Sequence, residues 1–417
     1  MLSLSGWRQG WQWGSENRYL GGLENTLHKR IAILAVAVSW FFAAHLPIVA
    51  ASPAGEGGKS TTTSGTSVSA SSPKPRASVA TTKKRVRRRR VRRYRSPWSV
   101  SSFGNPTAED DPTGEDPMVR EAAVEALGNW NGTIVVVEPN TGRILSIVNQ
   151  KLALSSGFTP CSTFKPVVAL AALNEGLITP DTRIRVWRRA RMNLTQALAK
   201  SNNTFFAYLG RQLGFERVAL YARLFGLGEK AGLDIPGEYP GVFPTEPPKE
   251  GGVGLLTSFG TDIEITPLQL AAIISAVANG GTLYYLQYPR TPEEIARFEP
   301  KPRRELRVLT DHIPKIRKGL AAAVLYGTAQ SAFDSEEQIL GKTGTCSEDG
   351  ARLGWFASYS SDSQPKYAVV VLLRGGKQMY GPHAAEIAGQ VYRGLRLREE
   401  EASQAGDLGS DLGDDSP

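Results

Sequence analysis

Pro160-Cys161-Ser162-Thr163-Phe164-Lys165-Pro166, followed by the apolar run 167–173, is the stretch on which the rest of the chain turns. The run is apolar on every side, the pattern of a helix buried in a domain interior rather than laid on its surface. Gly176 then stands where a helix stops with a residue in the left-handed conformation. Ser162 and Lys165, three apart at the helix start, project from one face beside backbone N–H groups that the helix leaves free. Burial disfavours a charged lysine, and a neutral amine beside a hydroxyl is a general base next to a nucleophile. The two-letter pattern alone carries little, because Ser71 and Lys74 repeat it inside a Ser/Thr-rich tract. The context has to decide.

The chain has 417 residues, 41% of them hydrophobic, and a formal charge of +9 that is unevenly placed. Residues 1–100 hold 17 Lys and Arg against 3 acidic residues, a net of +14, so the other 317 carry 32 against 37, a net of −5. The basic balance therefore belongs to the N-terminal arm. Two cysteines exclude a disulfide scaffold and a four-cysteine zinc site. The four histidines, His28, His45, His312 and His383, are too scattered to suggest a metal centre or a Ser-His-Asp triad. No cofactor or metal is expected.

In chain order, residues 1–30 read as a short cytoplasmic segment. Residues 31–51 carry no formal charge and are long enough to span a bilayer, so an anchor, or else a cleaved signal sequence, is expected there. Residues 52–112 are rich in Ser, Thr, Ala, Gly, Pro and Arg and read as a disordered basic linker. It contains the Arg-rich run 83–95, suited to an anionic surface. A globular domain is expected over 113–398 and a disordered acidic tail over 399–417. Within the domain, a helix is expected over 119–127, strands over 133–138 and 143–148, and a helical middle. Three late strands follow over 339–345, 353–359 and 367–373, then a helix over 384–397. Two strands early, three late and helices between them imply an α+β domain with one mainly antiparallel sheet.

Two further patterns sit where such a sheet could bring them to the serine. Ser201-Asn202-Asn203 falls between two helical runs, so a tight connection displays its side chains. Lys342-Thr343-Gly344-Thr345 falls on a strand, where alternation puts Lys342 and Gly344 on one face and the two threonines on the other. A glycine there lets another group approach the backbone.

Ser162-x-x-Lys165, Ser201-x-Asn203 and Lys342-Thr343-Gly344, in that order, resemble the signature of penicillin-binding proteins and serine β-lactamases. The segments around them also read like those of a transpeptidase domain over about 117–397, with Cys161 where glycine is usual. The resemblance implies an α/β sandwich around a five-stranded sheet plus an all-helical subdomain. It implies Ser162 as acylated nucleophile, Lys165 as proton acceptor and Ser201 as relay to the leaving amine. Asn203, Lys342, Thr343, Gly344 and Thr345 would hold the substrate, and the backbone N–H groups of Ser162 and Thr345 would form an oxyanion hole. Some class A carbapenem-hydrolysing β-lactamases resemble this chain in joining the two positions of Cys161 and Cys346 by a disulfide, which is expected here.

The implied substrate is the peptidoglycan stem peptide, with β-lactams as inhibitors. The expected location is a single-pass protein of the cytoplasmic membrane with its catalytic domain outside. The arm has too few residues for a glycosyltransferase domain or a large pedestal, so a monofunctional D,D-transpeptidase is expected. A D,D-carboxypeptidase stands close behind it, with a serine β-lactamase and a non-enzymatic sensor as further alternatives. Against a β-lactamase, no Glu with Asn four residues later occurs between Ser201 and Lys342. Nucleic-acid binding through the Arg-rich run would leave the three ordered motifs unexplained.

Overall fold

Ile134 to Val137, and again Val369 to Leu373, are β-branched or apolar without alternation, as strands covered on both faces must be. The computed structural model, which describes residues 96–361 and 364–411, bears this out. The chain opens with α1 (Pro117–Leu127), β1 (Gly132–Glu138), β2 (Arg143–Val148) and α2 (Gln150–Leu154). After a 3-10 turn (Cys161–Phe164) come α3 (Lys165–Asn174), β3 (Ile184–Trp187) and β4 (Ala190–Met192). The helical stretch holds α4 (Leu194–Ala199), α5 (Asn203–Leu213), α6 (Phe215–Leu224), α7 (Gly252–Phe259) and α8 (Pro267–Ala278). Next are β5 (Thr282–Tyr284), α9 (Pro292–Ala296), β6 (Pro302–Glu305) and α10 (Ile313–Leu325). The chain returns through β7 (Ile339–Glu348), β8 (Ala351–Ser360) and β9 (Ala368–Gly375) to α11 (Gly381–Asp411).

The main sheet is five-stranded, in the order β2-β1-β9-β8-β7, with every neighbouring pair antiparallel. This is the expected α+β fold. One face packs Ile134, Val136, Phe356, Val369 and Val371 against α1 and α11. The other face packs Val135, Trp355, Val370 and Leu372 into a core shared with α3, α5 and α8. Helix α8 is buried along its whole length, so it serves as the floor between sheet and helices. β7 is an edge strand, and an edge leaves backbone groups free to pair with another chain.

Both ends of the domain correct the expected boundaries. The linker was placed over 52–112, yet residues 96–112 dock on the sheet. Ser99 N donates to Gly350 O at 2.8 Å, Asn131 N to Ser102 O at 2.9 Å, and the rings of Phe103 and Trp130 stack with centroids 4.6 Å apart. Low hydrophobicity over a window hides a few well-placed anchors such as these. At the other end the final helix continues through the start of the expected disordered tail to Asp411. Glu399 is held there by Lys366 at 2.9 Å and by the Tyr367 hydroxyl at 2.6 Å. The expected segments 1–30 and 31–51, the Arg-rich run and the last residues of the tail lie outside the described residues. Among the described residues no helix is long and apolar enough to cross a membrane.

Asp110 is the firmest of the N-terminal attachments. Its carboxylate, 2% exposed, accepts from Asn149 N at 2.9 Å, Gln150 N at 2.8 Å and Arg120 Nη2 at 2.8 Å. Removing it strands two amides in a poorly solvated place and takes one partner from the Arg120 guanidinium, which keeps Ile147 O and Glu115. Asp110→Ala should therefore cost roughly 3 kcal/mol of stability, read by denaturant unfolding; a change within about 0.5 kcal/mol, the usual range for surface substitutions, would mean residues 96–112 are not an integral part of the fold.

Candidate active site

The turn that carries Ser162 is locked from three sides. Thr159 N donates to the Glu348 carboxylate at 2.9 Å, and Trp355 Nε1 donates to Thr159 O at 3.0 Å. Pro160 O accepts from both Thr163 N at 3.1 Å and Thr163 Oγ1 at 2.6 Å. Cys161 then adopts φ 52°, a left-handed value that costs a residue with a Cβ roughly 1 kcal/mol or more. Its side chain is joined by a disulfide to Cys346 of β7, with the two Cα atoms 5.7 Å apart. The 3-10 turn carries Ser162 into α3, whose residues from Lys165 to Leu173 are all buried.

The Ser201-x-Asn203 connection is set by two helix ends that meet. Ser201 N bonds Leu198 O at 3.1 Å and Asn202 N bonds Ala197 O at 2.9 Å, the Schellman closure of α4. The left-handed slot of that closure usually holds glycine; here it is Ser201, at φ 51°. Asn202 immediately caps α5, accepting from Phe205 N at 2.9 Å. There is no slack between the two helices, so Ser201 and Asn203 are displayed in fixed positions.

β7 supplies the third wall. Gly344 faces the Ser162 turn, and a Cβ there would stand 3.0 Å from Pro160 O and 3.2 Å from Thr163 Cγ2. A side chain there would make Pro160 or Thr163, on either side of the serine, give by a few tenths of an ångström. Lys342 shares that face and is fully buried. Thr343 and Thr345 face the opposite way, as alternation requires. Thr343 Oγ1 lies 2.5 Å from Thr328 Oγ1, and Thr345 Oγ1 accepts from Gly381 N at 2.8 Å.

These walls converge on one amine. Lys165 Nζ lies 2.9 Å from Ser162 Oγ, 2.8 Å from Ser201 O, 3.1 Å from Ser201 Oγ and 2.5 Å from Asn203 Oδ1. The Phe206 ring closes one side, with its centroid 5.4 Å away. Burial, aided by the positive charge of Lys342, pulls the Lys165 ammonium down to about 6. Burial alone takes Lys342 to about 7. A neutral Lys165 has two hydrogens and one lone pair. Ser201 O and Asn203 Oδ1 can only accept, so they claim the hydrogens, and the lone pair is left for the Ser162 hydroxyl.

Of the residues singled out from the sequence, Ser162, Lys165, Ser201 and Asn203 meet within hydrogen-bonding distance, Gly344 packs against the Ser162 turn, and Thr343 and Thr345 turn their hydroxyls to Thr328 and Gly381 on the other face of β7. Sequence reasoning missed Phe206, Thr328, Glu348 and Trp355. None of these left a signal in the sequence; the glycine before Thr328 shows its purpose only in the fold, where a Cβ on Gly327 would strike Ala199 O at 2.2 Å. A cavity of about 750 Å³ lined by Leu154, Ile235, Tyr288, Arg290 and Phe298 holds none of the motif residues. The chemistry of the groups, rather than the size of the hollow, locates the site.

Residues 132–393 match the family described as the penicillin binding protein transpeptidase domain. Stage V sporulation protein D of Bacillus subtilis is 32% identical over 284 residues, which cover 60% of this chain and 43% of that protein. Peptidoglycan D,D-transpeptidase MrdA of Acinetobacter baumannii is 24% identical over 65% of this chain and 51% of its own length. The chain spans about half the length of the curated relatives it matches. Among solved structures, the D,D-transpeptidase domain of a peptidoglycan glycosyltransferase from Eggerthella lenta superposes with a TM-score of 0.56 at 22% identity. That match covers 68% of this chain and 82% of the solved one, a likeness of fold.

The Cys161–Cys346 bond closes a loop of 185 residues between the Ser162 turn and β7. Reduction should lower the unfolding free energy by up to ~5 kcal/mol on a chain-entropy account. Denaturant melts with and without reductant test this, with alkylation and intact mass to count thiols. Two freely alkylated thiols in the unreduced protein would contradict the bond.

Proposed function

The chain belongs to the penicillin-binding protein transpeptidase family, and from that premise we propose that it is a peptidoglycan D,D-transpeptidase working through an acyl-enzyme on Ser162. The observation that carries this is the Lys165 amine, held within hydrogen-bonding distance of Ser162, Ser201 and Asn203 at once. Neutral Lys165 takes the Ser162 proton as Oγ attacks the carbonyl carbon of the stem peptide's terminal D,D-amide. Backbone N–H groups of Ser162, in the first turn before α3, and of Thr345, on the edge strand, receive the developing oxyanion. The proton on Lys165 then passes through Ser201 Oγ to the leaving amine, the C–N bond breaks, and Ser162 is left as an ester. An amine from a second stem peptide attacks that ester along the reverse path: its proton passes through Ser201 Oγ to Lys165 and on to the departing Ser162 Oγ, so the new amide leaves with Ser162 a hydroxyl and Lys165 neutral again.

The substrate backbone pairs with the β7 edge, and Asn203 donates through its amide nitrogen to the peptide. Lys342 attracts the terminal carboxylate; the threonine hydroxyls, bonded on their own face to Thr328 and Gly381, fix the strand on which that carboxylate rests. The domain is carried outside the cytoplasmic membrane, tethered by the apolar stretch 31–51 and the basic segment that follows it. No metal or cofactor enters the scheme.

The full chain should take one fluorescent penicillin, on Ser162. Ser162→Ala should abolish labelling with folding intact, and label found on another serine would overturn the assignment. Lys165→Arg keeps a charge but holds no free lone pair near neutral pH, so acylation should fall by about 10²–10⁴. An amine acceptor supplied with a D-Ala-D-Ala donor should yield the cross-linked product; the free acid alone would point to a carboxypeptidase.

The pH profile follows from the two lysines. Lys165 must be neutral to accept a proton, so acylation should fall as pH drops through about 6. Lys342 must be charged to attract a carboxylate, so acylation should also fall as pH rises through about 7. The two amines interact, so the limbs report the pair jointly. A rate that climbs steadily to pH 9 would mean that a charged Lys342 is not needed, and a rate that does not fall below pH 6 would exclude Lys165 as the base.

A further inference from the structure

The β3–β4 hairpin carries a patch that the reaction does not use. Ile184 and Val186 point inward and are buried in the same core as α3. The outward positions are Arg183, Arg185, Trp187, Arg188, Arg189 and Arg191, all exposed. Trp187, at the end of β3, is 70% exposed, with the Arg188 guanidinium 5.9 Å from its ring centroid. Among the described residues none of these five arginines forms an ion pair; Arg191 reaches only the carbonyl of Arg183, at 3.4 Å. Arg185 and Arg191 are direct cross-strand partners, a like-charge pairing that weakens a hairpin standing alone.

The hairpin is rigid, because its inner face is part of the core, and it presents five unpaired guanidinium groups around one large exposed ring. Isolated surface aromatics need no explanation, but this grouping is unfavourable without a partner and complementary to a dense array of anions. Guanidinium groups bind phosphate in a two-pronged fork. An indole with one apolar body and one polar N–H suits the boundary between headgroups and acyl chains. A bilayer is the polyanion nearest to hand, since the uncharged stretch 31–51 lies upstream in the same chain.

We propose that the β3–β4 hairpin is a membrane-docking element that binds the anionic phospholipid headgroups of the bilayer through Arg185, Arg188, Arg189 and Arg191, with Trp187 seated at the interface. The hairpin ends at Met192, immediately before Asn193 caps α4. The docked element is therefore continuous with the wall that carries Ser201 and Asn203. Headgroup contact would orient that wall relative to the bilayer.

The test uses the full chain in nanodiscs of phosphatidylcholine, with or without phosphatidylglycerol, the acyl chains being brominated to quench nearby tryptophans. Trp187→Phe gives the spectrum of the other tryptophans, so the difference isolates Trp187. That component should dim severalfold in the phosphatidylglycerol discs, recover at high salt, and recover when Arg185, Arg188, Arg189 and Arg191 are all changed to serine. Penicillin labelling at wild-type rate checks that each variant is folded. An unquenched Trp187, or equal quenching in the neutral discs, would overturn the proposal. So would a Trp187 that responds to a soluble oligonucleotide but not to the discs, which would mark a nucleic-acid site instead.

Discussion

The cleft depends on keeping one ammonium group out of water. Lys165 opens a helix that is buried on every side, so its Nζ exchanges bulk hydration for a few fixed oxygens and the face of an aromatic ring. Charge is disfavoured in such a place, and the fold supplies no carboxylate to restore it among the described residues around Nζ. The apolar run 167–173 is thus more than packing. It makes the amine a base near neutral pH and fixes the direction of its lone pair through the two acceptor-only groups, Ser201 O and Asn203 Oδ1.

That arrangement needs two lobes to agree on a spacing of a few ångströms. Ser162 and Lys165 come from the start of α3, Ser201 and Asn203 from the α4–α5 junction, and Lys342 from the sheet edge. Each part is pinned locally. The α4–α5 junction has a helix closure and a cap with no residue between them, and Gly344 admits the backbone of β7 against Pro160. The Ser162 turn is then tied covalently to β7 through Cys161 and Cys346. Cys161 and Ser201 both sit at left-handed φ without being glycine, so modest backbone strain is held at the two turns that aim the reacting groups.

Much of this was legible in the sequence, for physical reasons that differ by element. The strands of the sheet announced themselves because β-branched runs covered on both faces cannot be mistaken for surface. The motif residues were legible because the chemistry restricts residue type and order. The N-terminal boundary was not: Asp110 and Phe103 act by meeting residues far along the chain, Asn149 and Gln150 for the one and Trp130 for the other, and a compositional reading averages over them. Phe206, Glu348 and Trp355 were equally silent, since each looks like an ordinary core or strand residue until the fold sets it against Thr159 or Lys165. The late strand β7 ran three residues beyond its expected end because pairing with β8 continues through the hairpin to Glu348↔Ala351, which local propensity does not register.

Two buried lysines in one cleft raise the question of which takes the serine proton, and sequence order cannot answer it. Both are depressed by burial, so both are neutral for part of the population near pH 7. Their partners differ. The Lys165 amine lies 2.9 Å from the Ser162 hydroxyl, whereas Lys342 Nζ donates to Thr343 O, also at 2.9 Å, a carbonyl that has no proton to give. Lys165 is also the lower of the two, in part because Lys342 is charged nearby. A positive Lys342 therefore favours the neutral form of Lys165 while remaining able to attract a carboxylate. Pairs whose surroundings separate their titration divide acid and base duties in this way. The geometry favours Lys165 as the base and Lys342 as the cation that keeps it one.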